Sequence, residues 1–319
     1  METQEILSVC IPTFNRIDKL LYLLGIIKEE IKGLENDIEV LVSDNHSEPF
    51  QLQKLIEYSK ENSFFKLHLQ EENVGLINNY TYLAQKAAGK YTWIFGDDDV
   101  IAKGALRHII EILKKNKGRI GLLHLSYNRY IDSVHNTFPS IKEYGGIYGF
   151  VPDIEEYFRL FSKKGLLGRL LFISANILNS EKLKSIIIPE EKRAWADPIY
   201  YPLICSKSGF YIDNQITLSQ NSTKNSISWK DAAKELFLYY IHMTVMSVPD
   251  SYLPYKLKKE LIFNAYQDLY LTLLFLLPGM TSKQSLAFFK STFTLSERLR
   301  IYMGCIRYIA RKIYEKSRV

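Results

Sequence analysis

The chain has 319 residues, of which 47% are hydrophobic, 24% charged and 13% aromatic, and it carries a net charge of +6. With only 10 prolines and 16 glycines, this composition excludes disordered and fibrous proteins and indicates a globular chain with a large core. The three cysteines are far apart and form neither a disulfide framework nor a CxxC metal site, so we expect reduced, buried thiols.

The first residues are acidic rather than basic, and the most apolar later stretch, residues 269–280, is shorter than the ~20 residues that span a bilayer. We therefore expect a cytoplasmic protein with neither a signal peptide nor a transmembrane helix.

The first hundred residues alternate between apolar runs typical of buried strands and segments with apolar residues at helical spacing. Strands are predicted at 6–14, 37–45, 64–70 and 91–95, and helices at 18–32 with Asp18 as its cap, 51–62 and 78–88. This alternation with short connectors predicts parallel strands, crossover helices and an α/β sandwich.

The middle of the chain is more mixed, and its end is helical. Strands are predicted at 120–130 and 170–178, and helices at 153–162 and 197–208. A polar connector at 219–231 places a boundary near residue 225. The expected domains are thus an α/β domain over residues 1–225 and a helical basic region over residues 226–319.

Polar residues follow three of the predicted strands, at the point where each strand ends. These residues are Thr13 and Asn15 after the first strand, Asp44 and Asn45 after the second, and Asp97, Asp98 and Asp99 after the fourth. Ligands of parallel sheets gather outside the carboxyl ends of the strands, so we expect one site. A simple turn between Asp44 and Ser47, and a helix cap at Asn15, remain open as alternatives.

The three adjacent aspartates raise a physical problem, because like charges that begin at the end of a buried strand repel one another. Unpaired buried charge is costly, and an oxygen-preferring divalent cation is the common remedy. The triplet therefore predicts Mg²⁺ or Mn²⁺ carrying a diphosphate, with a solvated acidic turn as the alternative. The absence of GxxxxGK[ST] and GxGxxG argues against an NTPase and a dinucleotide oxidoreductase.

Four ordered motifs are similar to those of one enzyme family. They are VCIPTFNR (9–16), VLVSDNHSEP (40–49), NVGLINNYTYLAQKAAGKYTWIFGDDD (73–99) and WADP (195–198). Together they resemble the inverting family 2 glycosyltransferases of the GT-A fold, including deoxysugar transferases of the abequosyltransferase kind in bacterial surface-polysaccharide assembly. The resemblance covers roughly residues 5–220. It implies a Rossmann-like, mixed and mainly parallel sheet, with a nucleotide-sugar half (1–100) and an acceptor half (101–225).

The resemblance also implies roles for individual residues. It assigns the nucleotide sugar to Pro12, Thr13, Asn15, Arg16, Asp44, Asn45, Asn73, Gly75, Asp97 and Asp98, the metal to Asp98 and Asp99, and the general base to Asp197. The chain departs from the family pattern at Tyr80, where many relatives carry arginine, at Gly96, where they often carry an acid, and at Ala196, where they often have an acid pair.

The implied function is metal-dependent, inverting transfer of a sugar from a nucleoside-diphosphate sugar to a saccharide acceptor. The acceptor is expected to be polyprenyl-linked, in synthesis of capsule, lipopolysaccharide or another surface glycan. Two alternatives remain: a nucleotidyltransferase acting on sugar phosphates, and a non-catalytic module that binds glycans or nucleotide sugars. The first usually needs a glycine-rich phosphate loop near the first strand, and residues 11–16 contain no glycine.

The C-terminal segment is strongly basic. Residues 281–319 hold nine Lys/Arg against two Glu, a local charge of +7, and apolar residues recur at helical spacing at 295, 299, 302, 306, 309 and 313. A basic amphipathic helix predicts peripheral binding to the inner face of the cytoplasmic membrane. A core-facing helix and a homodimer contact are the alternatives; nucleic-acid binding is not expected, because there is no such motif and the remaining chain is near neutral.

Overall fold

The computed structural model describes residues 6–131, 134–136, 148–163, 172–186, 197–222, 242, 244–267 and 289–316. The chain divides into two compact units, one of Met1–Ile154 with Leu170–Thr223 and one of Glu155–Arg169 with Lys224–Val319. Each unit is described by itself, and the catalytic and helical domains expected from the sequence stay a prediction.

The first unit is built on one mixed sheet. Its strands are β1 (Leu7–Thr13), β2 (Ile38–Asp44), β3 (Lys66–Leu69), β4 (Tyr91–Ile94), β5 (Val100–Ile101), β6 (Leu122–Ile131), β7 (Val134–Asn136), β8 (Gly149–Phe150), β9 (Asn176–Asn179) and β10 (Phe210–Ser222). The order is β3-β2-β1-β4-β9-β6-β10-β5, with β7 on β6 and β8 on β10. The first four positions are parallel, β9 runs antiparallel to both its neighbours, and β6 pairs parallel with β10. This mainly parallel α/β sheet confirms the predicted fold class.

Helices connect these strands and continue into the second unit. They are α1 (Ile17–Glu30), α2 (Pro49–Glu61), α3 (Leu76–Lys86), α4 (Ala105–Lys115), α5 (Ile154–Lys163), α6 (Ser180–Ser185), α7 (Asp197–Cys205), α8 (Tyr255–Gln267) and α9 (Leu295–Lys316), with 3₁₀ turns at Ile173–Ala175 and Ser206–Ser208.

The central strands are buried on both faces, which explains their continuous apolar sequences. All seven residues of β2 are buried, and in β1 only Pro12 is partly exposed. Helix α1 adds Leu20, Leu24 and Ile27 to the core that these strands form. Strands covered by helices on both faces have no need of polar–apolar alternation. The thiols of Cys10 and Cys205 are free and buried, as expected, and burial raises the pKa of the Cys205 thiol to about 12.

Three sequence predictions are wrong in detail. Asp18 does not cap α1: the helix begins at Ile17, so Asp18 lies in the first turn, and its carboxylate pairs with Lys54 at 3.0 Å. The strand predicted at 170–178 begins only at residue 176, because Ile173–Ala175 form a 3₁₀ turn. The polar connector also begins later than predicted, since β10 extends to Ser222.

A buried carboxylate joins three neighbouring segments of the first unit. Glu39 on β2 is 5% exposed and accepts hydrogen bonds from Ser8 Oγ at 2.5 Å, from Gly89 N at 3.2 Å and from Ala88 N. A Cβ on Gly89 would lie 2.7 Å from Ser8 Oγ and 2.8 Å from Ser8 N. No side chain therefore fits at residue 89 without displacing β1.

The second unit is described through three helices and their flanking residues. Arg159 on α5 pairs with Glu260 on α8 at 3.2 Å, and Lys259 pairs with Glu297 on α9 at 3.0 Å. Thr294 caps α9 reciprocally: Thr294 N donates to Glu297 Oε2 at 2.8 Å, and Glu297 N donates to Thr294 Oγ1 at 3.3 Å. Among the described residues, no helix is both long and apolar enough to cross a bilayer.

Substitution of Gly89 by alanine is expected to lower the free energy of unfolding by about 1–3 kcal/mol, because the new methyl group would overlap the backbone of β1. Gly25 on α1 is the matched control, since a Cβ there meets nothing within 4 Å. Gly25→Ala is expected to stabilise the chain by about 0.5–1 kcal/mol through helix propensity. Urea denaturation measures both, and equal effects of the two substitutions would contradict the predicted overlap.

Candidate functional site

The ends of three parallel strands meet at one edge of the sheet. Thr13 at the end of β1 lies opposite Asp44 at the end of β2, and Asn45 N donates to Thr13 O at 2.9 Å. After β4, Phe95 N donates to Cys10 O at 2.8 Å, which aligns the following residues with the same edge. The polar residues that follow each strand are therefore neighbours in the structure.

Asp97 opens the aspartate turn, which we define as residues 96–99. Its side chain is only 6% exposed; Oδ2 accepts a hydrogen bond from Thr13 Oγ1 at 2.8 Å, and Oδ1 lies 3.0 Å from Arg16 Nη1. Burial raises the pKa of Asp97 to about 6, against the lowering effects of Arg16 and Thr13. The protein thus holds this carboxylate where its charge is costly.

Asp98 shares its counter-ion with Asp97. Its Oδ2 lies 3.0 Å from the same Nη1 of Arg16 and 3.7 Å from Lys19 Nζ, and its side chain is 14% exposed. One guanidinium nitrogen therefore bridges two adjacent carboxylates. Lys19 was not among the residues that the sequence singled out, although its place three residues after Arg16 puts both on one face of α1.

Asp99 is held by a serine from a distant part of the chain. Ser174 Oγ donates to Asp99 Oδ2 at 2.5 Å and accepts a hydrogen bond from Gly96 N at 2.9 Å. The carbonyl oxygen of Ser174 accepts from Trp93 Nε1 at 2.7 Å. Sequence reasoning missed Ser174, because a lone serine in a 3₁₀ turn carries no local signal.

Asp44 lies within a tight turn. It is 1% exposed; Ser47 N donates to Oδ2 at 2.9 Å, and Ser47 Oγ donates to Oδ1 at 2.5 Å. Asn15 joins this turn, since Asn15 N donates to Ser47 Oγ and Glu48 N donates to Asn15 Oδ1, both at 2.8 Å. The turn alternative for Asp44 is therefore present in the structure, and its contact with a nucleotide stays a prediction.

A second set of polar contacts connects β2 to the start of α3. Asn45 Nδ2 donates to Asn73 Oδ1 at 2.9 Å, and Asn45 Oδ1 accepts from Val74 N at 2.9 Å. Gly75, with φ of 81°, occupies the left-handed region directly before the helix, and its N–H donates to Asn73 Oδ1 at 3.0 Å. The motif at residues 40–49 is thus hydrogen-bonded to the motif at residues 73–99 at this edge.

The edge also carries an aromatic residue that the sequence analysis did not select. Phe14 follows β1 directly and is 40% exposed, whereas Pro12, another predicted site residue, lies within β1 opposite Ser43. An exposed ring among polar groups offers a flat surface for a planar ligand.

Tyr80, where many similar sequences have arginine, points into the protein. It is 3% exposed and stacks on Tyr201 of α7, with ring centroids 5.7 Å apart and an angle of 7° between the rings. Asp197 is the first residue of α7, one turn before Tyr201; its side chain lies outside the described residues. Helix α3 thus contributes packing, not a cation, at residue 80.

The aspartate turn fits a cation that brings some of its own ligands. In the part of the chain that the structure describes, no three His, Cys, Asp or Glu side chains group so as to hold a metal ion. Asp98 Oδ1 accepts no hydrogen bond from a described residue, and carboxylate oxygens are the ligands that Mg²⁺ and Mn²⁺ prefer. The donor set therefore suits a cation bound by one or two carboxylates and completed by phosphate and water.

Comparisons with known proteins agree with this architecture. Residues 8–162 match the model of the Glycosyl transferase family 2. A curated relative, the abequosyltransferase RfbV of Salmonella typhimurium, is 37% identical over 103 residues, which make up 32% of this chain and 30% of that protein. The chain therefore matches less than a third of the length of this relative.

Solved structures share the fold at low identity. The structure of S. aureus TarS 1-349 has a TM-score of 0.63 at 16% identity and covers 90% of this chain and 78% of its own. TarS 1-349 in complex with UDP-GlcNAc gives 0.60 at 16% identity, over 82% and 73% of the two chains. A mannosyltransferase of Pyrobaculum calidifontis in complex with GDP-Man and Mn²⁺ gives 0.51 at 13% identity, over 98% and 88%. The unit with the aspartate turn thus has the GT-A architecture.

Replacing Ser174 by alanine is expected to cost about 1–3 kcal/mol of unfolding free energy, because a buried carboxylate and a backbone N–H lose their shared partner. In an Asp99→Ala background the cost should fall by about 1 kcal/mol, since one of the two contacts is already absent. Urea denaturation of the four proteins measures this coupling.

Ser59→Ala is the matched control, since this hydroxyl only donates to Ile56 O within α2. It should change stability by less than about 0.5 kcal/mol. Strict additivity of the Ser174 and Asp99 substitutions would contradict a direct contact.

Proposed function

We propose that this chain, whose residues 8–162 match the Glycosyl transferase family 2, transfers a sugar from a nucleoside-diphosphate sugar to a saccharide acceptor with inversion at the anomeric carbon. The observation that carries this proposal is the convergence of Thr13, Arg16 and the aspartate turn at the carboxyl edge of the parallel strands. Such an edge is where α/β sheets bind their ligands.

The nucleotide half of the donor is assigned to the polar groups around Asp44 and Asn45. Asp44, Asn45 and Asn73 lie within one hydrogen-bonded network, which provides fixed donors and acceptors for a base and ribose. Phe14 directly follows Thr13, whose carbonyl oxygen accepts from Asn45 N, and its exposed ring can stack on a base. TarS, which shares the fold, has been solved with UDP-GlcNAc; the base and sugar used by this chain belong to the proposal.

The diphosphate half is assigned to the aspartate turn. Asp98 and Asp99 would hold Mg²⁺ or Mn²⁺, and Asp97 would contact the ribose. A divalent cation there neutralises the charge that develops on the leaving diphosphate. Ser174 fixes the carboxylate of Asp99 at 2.5 Å, so its orientation is set before any ligand arrives.

Asp197 is assigned as the general base. An acceptor hydroxyl has a pKa far above 7, so it attacks the anomeric carbon effectively only if a carboxylate takes its proton. In the proposed step the acceptor oxygen forms a bond to that carbon, the bond to the phosphate oxygen breaks, and the proton moves to Asp197. Asp197 is the first residue of α7, and Tyr201 of the same helix stacks on Tyr80. This packing supports a fixed position for the backbone of Asp197.

Membrane association is proposed from the surface of the second unit. Along α9, Leu295, Leu299, Met303 and Ile306 are 65%, 54%, 48% and 56% exposed, whereas Ile301 on another face of the helix is 1% exposed. An exposed apolar stripe on a basic helix supports binding to anionic lipid at the inner face of the cytoplasmic membrane. A polyprenyl-linked acceptor for a surface glycan would be presented there. Tyr302, which the sequence places on the same stripe, is half-buried, with its ring centroid 6.1 Å from that of Phe289, so the core-facing alternative stays open for that residue.

Asp98→Ala and Asp99→Ala are each expected to abolish metal-dependent sugar-nucleotide turnover, by at least about 100-fold, because the leaving diphosphate loses its neutralising cation. The assay offers a panel of UDP-, GDP-, CDP- and dTDP-sugars with Mn²⁺ or Mg²⁺, with and without EDTA. Asp197→Asn should lose turnover but keep metal-dependent nucleotide binding, which separates the base from the ligands.

Normal turnover in both Asp98→Ala and Asp99→Ala would contradict the ligand assignment. The same panel tests the two alternatives: release of pyrophosphate from a nucleoside triphosphate and a sugar phosphate would identify a nucleotidyltransferase. Binding without turnover, unaffected by Asp197→Asn, would identify a non-catalytic binding module.

Leu295→Asp with Leu299→Asp is expected to weaken binding to vesicles containing anionic phospholipid by more than about tenfold, because each buried leucine contributes about 1.5–3 kcal/mol. Vesicle co-sedimentation measures this, with Tyr22→Asp, at an exposed aromatic residue of α1, as control. Unchanged vesicle binding together with a shift from dimer to monomer would instead identify the stripe as a homodimer contact.

A further inference from the structure

Two cations on the first turn of α1 lie against the aspartate turn. Arg16 Nη1 is 3.0 Å from both Asp97 Oδ1 and Asp98 Oδ2, and Lys19 Nζ is 3.7 Å from Asp98 Oδ2. Arg16 directly precedes α1 and Lys19 is its third residue, so both side chains leave the same end of the helix.

These cations neutralise part of the negative charge that would attract a metal ion, since both contact Oδ2 of Asp98. Asp97 is buried and Asp98 nearly so, and two such carboxylates cannot remain adjacent and charged without a positive partner. Arg16 is the partner that both carboxylates share. A divalent cation on the other oxygen of Asp98 would lie close to Arg16 and Lys19, whose positive charge repels it, so it should bind poorly by itself.

The two side chains are also placed to change partners. Their side chains are 29% and 41% exposed, so they retain freedom to move. Guanidinium and ammonium groups bind phosphate oxygens as readily as carboxylates. Tyr80 on α3 is buried against Tyr201 and brings no charge to this edge, so the cations described at the aspartate turn come from the start of α1.

We propose that Arg16 and Lys19 serve two partners in turn: they neutralise Asp97 and Asp98 in the ligand-free protein and contact the donor diphosphate when the metal–nucleotide complex binds. This inference rests on the proposed function, and it makes Lys19 a donor-binding residue. Its consequence is that metal and nucleotide bind cooperatively, because the diphosphate draws the cations away from the carboxylates that hold the metal.

The test measures Mn²⁺ binding directly, from the electron paramagnetic resonance signal of free Mn²⁺. Wild type, Arg16→Gln and Lys19→Gln are titrated with Mn²⁺ alone and with Mn²⁺ plus UDP, GDP, CDP or dTDP. Lys54→Gln is the matched control, because it removes the same charge from a lysine that pairs with Asp18 on α1. Thermal unfolding of each variant verifies that it is folded.

Arg16→Gln is expected to bind Mn²⁺ alone about five- to tenfold more tightly than wild type, because the competing ion pair is absent. In both Arg16→Gln and Lys19→Gln, the gain in Mn²⁺ affinity caused by the nucleoside diphosphate should fall on the order of 10- to 100-fold, as charged phosphate contacts are lost. Lys54→Gln should behave like wild type in both titrations. If Arg16→Gln does not fold, Lys19→Gln tests the inference by itself, through the gain in Mn²⁺ affinity that the nucleotide causes.

Three outcomes overturn the inference, and the second of them also overturns the proposed function. Suppose that wild type binds Mn²⁺ together with a nucleotide, but Arg16→Gln and Lys19→Gln behave like Lys54→Gln in both titrations. This result overturns only the exchange of partners. A wild type that shows no Mn²⁺-linked binding of any of the four nucleotides overturns the proposed donor chemistry together with it. Weaker Mn²⁺ binding by Arg16→Gln in the absence of nucleotide also contradicts the exchange, since it would make Arg16 a support of the metal site.

Discussion

The structure of this site depends on the compensation of charge where a buried strand ends. Three carboxylates follow β4 at a place where water cannot solvate them well, and each contacts side chains from other parts of the chain. Thr13 and Arg16 hold Asp97, and Arg16 and Lys19 hold Asp98. Ser174 holds Asp99. Solvation lost on burial raises the pKa of Asp97 to about 6, despite its two partners. The sheet edge is therefore constructed around a local excess of negative charge that the protein itself only partly satisfies.

This excess of negative charge is the basis of the function that we propose for the sheet edge. Parallel strands bring Thr13, Asp44 and the aspartate turn to one edge, and the helix that follows β1 begins there with two cations. In our proposal, a ligand that carries both a metal ion and a diphosphate matches both groups at once, with the metal ion on the carboxylates and the phosphates on Arg16 and Lys19. The proposed recognition rests on these charges and not on the sugar that the donor carries.

Much of the first half of the chain could be predicted from sequence, because local patterns decide it. β1, β2 and β4 are apolar runs, and the polar residues that follow them lie together as the parallel arrangement requires. Contacts that join distant segments could not be predicted: Ser174 reaches Asp99 from a 3₁₀ turn within a segment that had been predicted as a strand. Helix α4 was overlooked although Leu106, Ile109 and Leu113 show its period, and β10 was overlooked because register shifts interrupt its pattern.

The antiparallel strand β9 has a further consequence. It lies between β4, from the first hundred residues, and β6, from the part that follows, and pairs with both in one continuous sheet. The segments before and after residue 100 are thus joined by backbone hydrogen bonds and share one hydrophobic core. The exchange of partners that we propose fits such a sheet, because Arg16 and Lys19 can reorient without any movement of its strands.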